Sequence, residues 1–317
     1  MPPYDAVFDM KHPQDSVRHP PEDASADWIV PQRWSAYTAV EHGTWNQLCG
    51  RQLLQLQQRV VPTFLKGVER LGLAGNGVPD FERLSERLRR LTGWSVVAVP
   101  GLVPEETFFE HLANRRFVAG RFIRKPEQLD YLQEPDVFHD IFGHVPLLAD
   151  PVYADYMQAY GEGGRRALRL GALEALARLY WYTVEFGLIR SGADLRIFGA
   201  GIVSSHGESA YAIDSPEPLR IAFDLRRVLR TEYRIDAFQR NYFVIDSFED
   251  LLRQTVGTDF GPIYAELAQL PPIAVATLLP TDRRITARAT AVATDELASA
   301  TNARLVALSE ATDMDEG

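Results

Sequence analysis

Apolar residues recur along this chain at helical spacing far more often than they alternate. Over residues 38–71, Leu48, Leu53, Leu54, Val60, Phe64 and Val68 fall near a 3.6-residue period and stop ahead of Gly72 and Gly75, which predicts a helix across that span. Residues 80–91 repeat the pattern, with Phe81, Leu84, Leu88 and Leu91 on one face and Gly93 at the end. Shorter helices are expected over 105–112 and 136–143, a long one over 173–189, and two more over 219–229 and 248–257. The short apolar runs 95–99, ahead of Pro100-Gly101, and 242–245 predict buried strands. The glycine- and serine-rich run 199–205 reads as a loop. These elements predict one mainly α domain, α+β in class, with a small amount of sheet, over residues 28–271. Residues 1–27 carry five prolines and few aliphatic side chains, the make-up of a disordered arm. Residues 272–317, rich in Ala and Thr, predict a C-terminal tail that is partly helical or disordered.

Charge narrows the partners. Lys and Arg number 33 against 43 Asp and Glu, a net charge of −10. That balance argues against nucleic acid, whose binding rests on neutralising phosphates with clustered cations. No segment approaches the ~18 apolar residues of a membrane span, and the first residues lack the basic-then-apolar order of a secretory signal. A soluble cytoplasmic protein with no membrane partner is expected. The single cysteine, Cys49, excludes a disulfide framework and a thiolate metal cluster, so any metal site must be built from His and carboxylates.

Two segments supply such groups. His139 and His144 sit five apart among Val, Phe, Ile and Leu, and a buried imidazole needs a partner for each ring nitrogen. Glu185 is the one formal charge in the run LYWYTVEFGLI, and a helix apolar nearly all round is buried. Read singly, these are two satisfied core histidines and an acid paired with Arg178, Arg190 or a distant arginine. Read together, they make two His and one carboxylate, the facial set associated with non-haem Fe(II) and oxygen chemistry. An offset of five rotates the second His by about 140° on an α-helix, unlike the i, i+4 pair of H-E-x-x-H zinc sites. Gly143 and Pro146 are expected to end or loosen the helix near His144 so that both rings converge.

The runs EPDVFHDIFGHVPLL, YWYTVEFGL and FGAGIVSSHGES, with WSAYT and EHGTW earlier in the chain and residues 238–248 later, resemble the pterin-dependent aromatic amino acid hydroxylases, most closely the single-domain bacterial phenylalanine 4-hydroxylases. The resemblance covers about three quarters of the chain. It implies the catalytic-domain fold of that family, helices around an iron site with little sheet, and makes His139, His144 and Glu185 the iron ligands and catalytic centre. It assigns Arg124 to the substrate carboxylate, a task suited to a guanidinium fork. Ser204 falls beside the same carboxylate and the iron, Trp181 on the substrate ring, and Pro135 and Ile235 on its pocket walls. Trp181, four residues before Glu185, is expected to share its helical face. For the pterin it implies Phe108 as the stacking aromatic, Gly101, Leu102 and Val103 as the backbone reading the ring edge, Tyr180 beside the pterin and iron, and Asp140 through water. Asp140, Glu105 and Leu132 depart from the vertebrate pattern. Asp136 is read as an acceptor for an imidazole N–H.

The implied activity is conversion of L-phenylalanine to L-tyrosine with Fe(II), a tetrahydropterin such as tetrahydrobiopterin and O2 as co-substrate. This would place the chain in phenylalanine catabolism and tyrosine biosynthesis, acting as a monomer on small molecules. The alternatives are a tryptophan hydroxylase of the same family and a metal- or amino-acid-binding relative without turnover. Ser205-His206-Gly207-Glu208 lacks a G-x-S-x-G elbow, so it is not read as a hydrolytic triad, and His206 is read as structural.

Overall fold

The structure is a computed structural model describing residues 20–130 and 135–286. It bears out a mainly helical fold with small sheets. Thr38 and Glu41 form a reciprocal cap, the Glu41 carboxylate accepting the Thr38 N–H at 2.8 Å, which opens α1 (Ala39–Leu56). The single helix expected over 38–71 is two. Pro62 disfavours helical backbone at Val61, which is extended, so the chain restarts as α2 (Pro62–Leu71) and closes on left-handed Gly72. Next, α3 (Phe81–Thr92) begins on the Asp80 cap as expected. Strand β1 (Ser95–Ala98), helix α4 (Glu105–Ala113) and strand β2 (Arg116–Ala119) follow, with β1 and β2 paired in parallel.

Helix α5 (Pro151–Leu170) has no counterpart in the sequence reading. Its glycines weaken the helical pattern, yet two of them are why it packs where it does. A Cβ on Gly161 would lie 2.4 Å from the Ala113 amide nitrogen, and one on Gly164 would lie 1.9 Å from the Phe109 ring. Glycine lets α5 close directly onto α4.

The long helix expected over 173–189 ends early. It runs as α6 (Leu173–Tyr180), continues as a π-helical segment Trp181–Glu185, and gives way to β3 (Leu188–Ser191) and β4 (Asp194–Ile197). The run read as a loop contains the one-turn helix α7 (Ala200–Val203), followed by α8 (His206–Asp214). The helix expected over 219–229 splits into β5 (Leu219–Ala222) and α9 (Leu225–Arg230), because pairing with β6 (Asn241–Ile245) outweighs local helical preference. The four-stranded sheet has the order β4-β3-β6-β5, with β3 and β4 antiparallel and the rest parallel. Helices α10 (Phe248–Val256) and α11 (Phe260–Leu267) follow.

Some residues assigned by sequence to the arm and the tail join this body. Asp27 pairs with Arg116 at 3.2 Å, and its carbonyl meets the His111 ring at 2.8 Å. Ile285 donates to the Arg220 carbonyl at 2.8 Å along the β5 edge, and buried Asp282 pairs with buried Arg227 at 3.0 Å. The remainder of both predicted segments, 1–19 and 287–317, lies outside the described residues. Among the described residues no helix is long and apolar enough to cross a membrane.

Two neighbouring glycines of α5 should respond oppositely to alanine. Gly164→Ala is expected to lose about 1–3 kcal/mol by forcing apart α4 and α5. Gly163→Ala meets nothing within 4 Å and should gain roughly 0.5–1 kcal/mol from helix propensity. Urea unfolding of both variants checks the pair, and an equal response would refute the close-approach argument.

Candidate active site

The site is built on two π-helical segments. The first, Phe138–His144, turns Phe138 and Phe142 into the core, where their rings stack at 4.8 Å and receive the edges of Trp45 and Phe64 at 5.5 Å each. In a π-helix the hydrogen bonds run between residues five apart, so i and i+5 sit one above the other. This is how His139 and His144 converge: the helix loosens into a π turn, and Pro146 falls in the 3-10 turn Val145–Ala149 that follows. The second segment brings Glu185 opposite them, with the Phe186 N–H bonded to the Trp181 carbonyl, also five apart, at 2.8 Å. Glycine again permits close approach, since a Cβ on Gly199 would lie 2.4 Å from the Glu185 carbonyl oxygen.

All three side chains are buried, and their ligating atoms lie within 4.8 Å of one another. Nε2 of His139 is 3.3 Å from Nε2 of His144 and 3.7 Å from Oε2 of Glu185, and His144 Nε2 is 3.3 Å from Glu185 Oε1. The Ser204 hydroxyl donates to the Ala200 carbonyl at 2.8 Å, so towards His139 Nδ1, also at 2.8 Å, its oxygen can only accept. His139 therefore carries its proton on Nδ1 and turns the Nε2 lone pair inward, as a metal ligand must. Burial pushes His139 down to about 4, against the opposing pull of Glu185, which keeps the imidazole neutral. Burial alone would raise the Glu185 carboxyl, but His144, His139 and the Gly201 N–H outweigh it and hold the group below its ordinary value. Glu185 Oε2 is buried with no hydrogen-bond partner among the described residues. The inward Nε2 lone pair of His139, Nε2 of His144 and a bare carboxylate oxygen of Glu185 face one another and form a donor set that a divalent cation would satisfy.

Asp136 does not accept an imidazole N–H as the sequence suggested. It takes the His139 backbone N–H at 3.1 Å and forms a fork with Arg124, Nε to Oδ2 at 2.8 Å and Nη2 to Oδ1 at 2.9 Å. The guanidinium also lies over the Phe138 ring at 5.6 Å. A single buried carboxylate thus locks the candidate substrate arginine to the first metal-ligating histidine.

The residues assigned to the pterin fall in two groups. Gly101, Leu102, Val103 and Asp140 line one cavity of about 200 Å³ together with Pro135. Asp140 accepts the Gly120 N–H at 2.7 Å, and burial pushes its carboxyl up to about 7. Phe108 and Tyr180 are not in that lining; they meet edge to face at 6.2 Å, and Tyr180 stacks along His144 at 6.3 Å. Trp181 does not rely on the four-residue alignment expected of an α-helix. Its ring is stacked on Tyr233 at 4.3 Å and tilted against Phe186 at 4.6 Å, and its N–H donates to Gln239 at 3.0 Å. Ile235 is half-buried in the same 231–240 loop. Leu132 lies outside the described residues, and His206 is exposed beside the Ser205 cap of α8. Sequence reading missed Gln239, 58 residues from the tryptophan it holds, for which no local signal exists.

Fold and donor set define a mononuclear 2-His-1-carboxylate enzyme. Residues 23–258 match the biopterin-dependent aromatic amino acid hydroxylase family, and the chain belongs to it. It is 60% identical over 275 residues to the phenylalanine-4-hydroxylase of Caulobacter vibrioides, covering 87% of this chain and 93% of the relative. Against that of Ralstonia nicotianae the identity is 62% over 245 residues, covering 77% and 78%. The iron- and phenylalanine-bound crystal structure of phenylalanine hydroxylase from Chromobacterium violaceum superposes with a TM-score of 0.79 at 52% identity, covering 83% of this chain and 96% of that one. The protein is a pterin-dependent iron monooxygenase.

Glu185→Ala is expected to lose iron while remaining folded, and Ser204→Ala to weaken iron binding by roughly 10–100-fold through loss of the fixed tautomer. Metal analysis after dialysis, with circular dichroism as the fold control, checks both; wild-type iron content in either would refute its role. A separate expectation concerns buried Glu208, whose carboxyl burial pushes from 4.5 up to about 7. Because the folded value is the higher, the stability it contributes is complete below pH 4.5 and is lost as pH rises through about 7. Urea unfolding of Glu208→Gln should therefore decline less than wild type between about pH 5 and 8, and parallel pH curves would contradict this.

Proposed function

We infer that the chain hydroxylates L-phenylalanine to L-tyrosine, the activity named for its relatives. The observation that carries the reading is the buried convergence of His139, His144 and Glu185 next to an arginine locked by Asp136. When bound, Fe(II) and a tetrahydropterin together activate O2, one oxygen atom going to the ring and the other to the pterin. The chain's own work is positional. His139, His144 and Glu185 would hold the metal with one donor atom each. Arg124, held in one rotamer by Asp136, orients the amino acid through its carboxylate. Trp181, Pro135 and Ile235 wall the ring in apolar surface and exclude water from the reacting carbon.

Gly101, Leu102, Val103 and Asp140 would read the pterin edge from their shared cavity, and Phe108 and Tyr180 would supply its aromatic contacts. An apolar Ile235 and an indole at 181 support phenylalanine over tyrosine or tryptophan as substrate. The reading also has the enzyme working as a cytoplasmic monomer in phenylalanine breakdown and tyrosine supply.

The test loads the purified protein with Fe(II) and supplies phenylalanine, tryptophan and tyrosine in parallel with a tetrahydropterin. Tyrosine should form from phenylalanine with kcat/KM at least about tenfold above that for tryptophan hydroxylation, a gap of about 1.4 kcal/mol. Iron-loaded protein that hydroxylates none of the three would overturn the reading.

A further inference from the structure

Gln239 is assigned no metal, substrate or pterin role, yet it is only 3% exposed in a loop that is otherwise largely polar. Both ends of its amide are engaged. Its Oε1 accepts the Trp181 indole N–H at 3.0 Å, and its Nε2 donates to the Arg234 carbonyl at 2.8 Å. Its backbone N–H donates to Glu208 Oε1 at 3.0 Å, and the same oxygen accepts the Tyr242 hydroxyl at 2.8 Å. One amide therefore ties the Trp181 ring to the backbone immediately before Ile235, while a buried carboxylate secures the amide's own main chain.

Stacking on Tyr233, with 17° between the ring planes, sets the tilt of the indole but tolerates sliding and rotation in that plane. A hydrogen bond is directional and removes that freedom. The indole nitrogen only donates, so a neutral acceptor is the economical choice in a dry wall; an apolar residue would orphan the N–H, and a carboxylate would bury a charge.

We propose that Gln239 is a positioning residue for ring selection. It holds Trp181 and the backbone carrying Ile235 at one mutual spacing, which admits the single ring of phenylalanine and disfavours the wider indole of tryptophan. The inference rests on the reading that phenylalanine is the substrate and that Trp181 and Ile235 wall its ring.

The test compares five iron-loaded proteins: wild type, Gln239→Met, Gln239→Glu, Trp181→Phe and the Trp181→Phe/Gln239→Met double variant. For each, kcat and KM are measured for phenylalanine and tryptophan, together with tyrosine formed per pterin oxidised. Methionine is close to glutamine in size but offers no strong acceptor. Gln239→Met should lower the phenylalanine-to-tryptophan ratio of kcat/KM by about tenfold, mostly through KM for phenylalanine, and reduce tyrosine per pterin. Gln239→Glu keeps an acceptor for the indole but loses the donor to the Arg234 carbonyl and buries a charge, so it should restore the ratio only in part. In the Trp181→Phe background the indole bond does not exist, and Gln239→Met should then change the ratio by less than about twofold. An unmoved ratio in Gln239→Met, or an equal drop in both backgrounds, overturns the proposal. If Gln239→Met does not fold, hydrogen exchange of the Trp181 indole N–H in wild type decides, its signal being identified by loss in Trp181→Phe. Protection is expected, and exchange at the rate of free tryptophan overturns the proposal. Iron-loaded wild type that makes no tyrosine would instead defeat the functional reading, whereas active wild type with an unmoved ratio defeats only this inference.

Discussion

Two imidazoles and a carboxylate within 4.8 Å of one another in an apolar core are tolerable only if each is oriented and its charge is answered. Much of the architecture meets that condition. The Ser204 oxygen accepts the His139 Nδ1–H, Gly201 reaches Glu185, and Asp136 secures the His139 backbone while it neutralises Arg124. The polar shell is small because the apolar shell is large. Phe138, Phe142, Trp45 and Phe64 fill the opposite side of the same segment, so the histidines cannot rotate away without opening the core.

The geometry depends on two local departures from α-helix. A regular helix would point residues 139 and 144 in different directions, and π winding brings them together. The second π segment ends at Glu185 and returns the chain to a strand within three residues. Such windings are held by their surroundings, and here the clamp is a close backbone approach that only glycine allows, at Gly199 beside Glu185, with Gly143 packed tightly on Ala200. A glycine-rich run that resembles a loop in sequence is thus a packing surface.

Legibility followed the range of the interactions. Helix α3, with its Asp80 cap, its one-sided apolar stripe and Gly93 at its end, was plain because every signal lies within its own length. The metal ligands were legible because buried charge among apolar residues is a local anomaly. Helix α5 was hidden because its glycines oppose helix propensity and are explained only by α4 across the interface. Strand β5 was hidden for the same kind of reason, its partner β6 lying some twenty residues later. Asp136 is legible as a polar neighbour of His139, but its contact is not, since Arg124 approaches from another segment. Gln239 has no local signal for its bond to Trp181, which lies 58 residues away.

The sequence by itself determined the donor set, the helical class and, through its ordered motifs, the family. Those are properties of residue type and spacing, which a linear chain displays directly. Tertiary structure decided how the donors meet, which nitrogen of His139 keeps its proton, what holds Arg124 and Trp181 in place, and that residues up to 286 pack on the body. These follow from contacts between residues far apart in the chain, with energies set by burial and direction, and neither quantity exists until the chain has closed on itself.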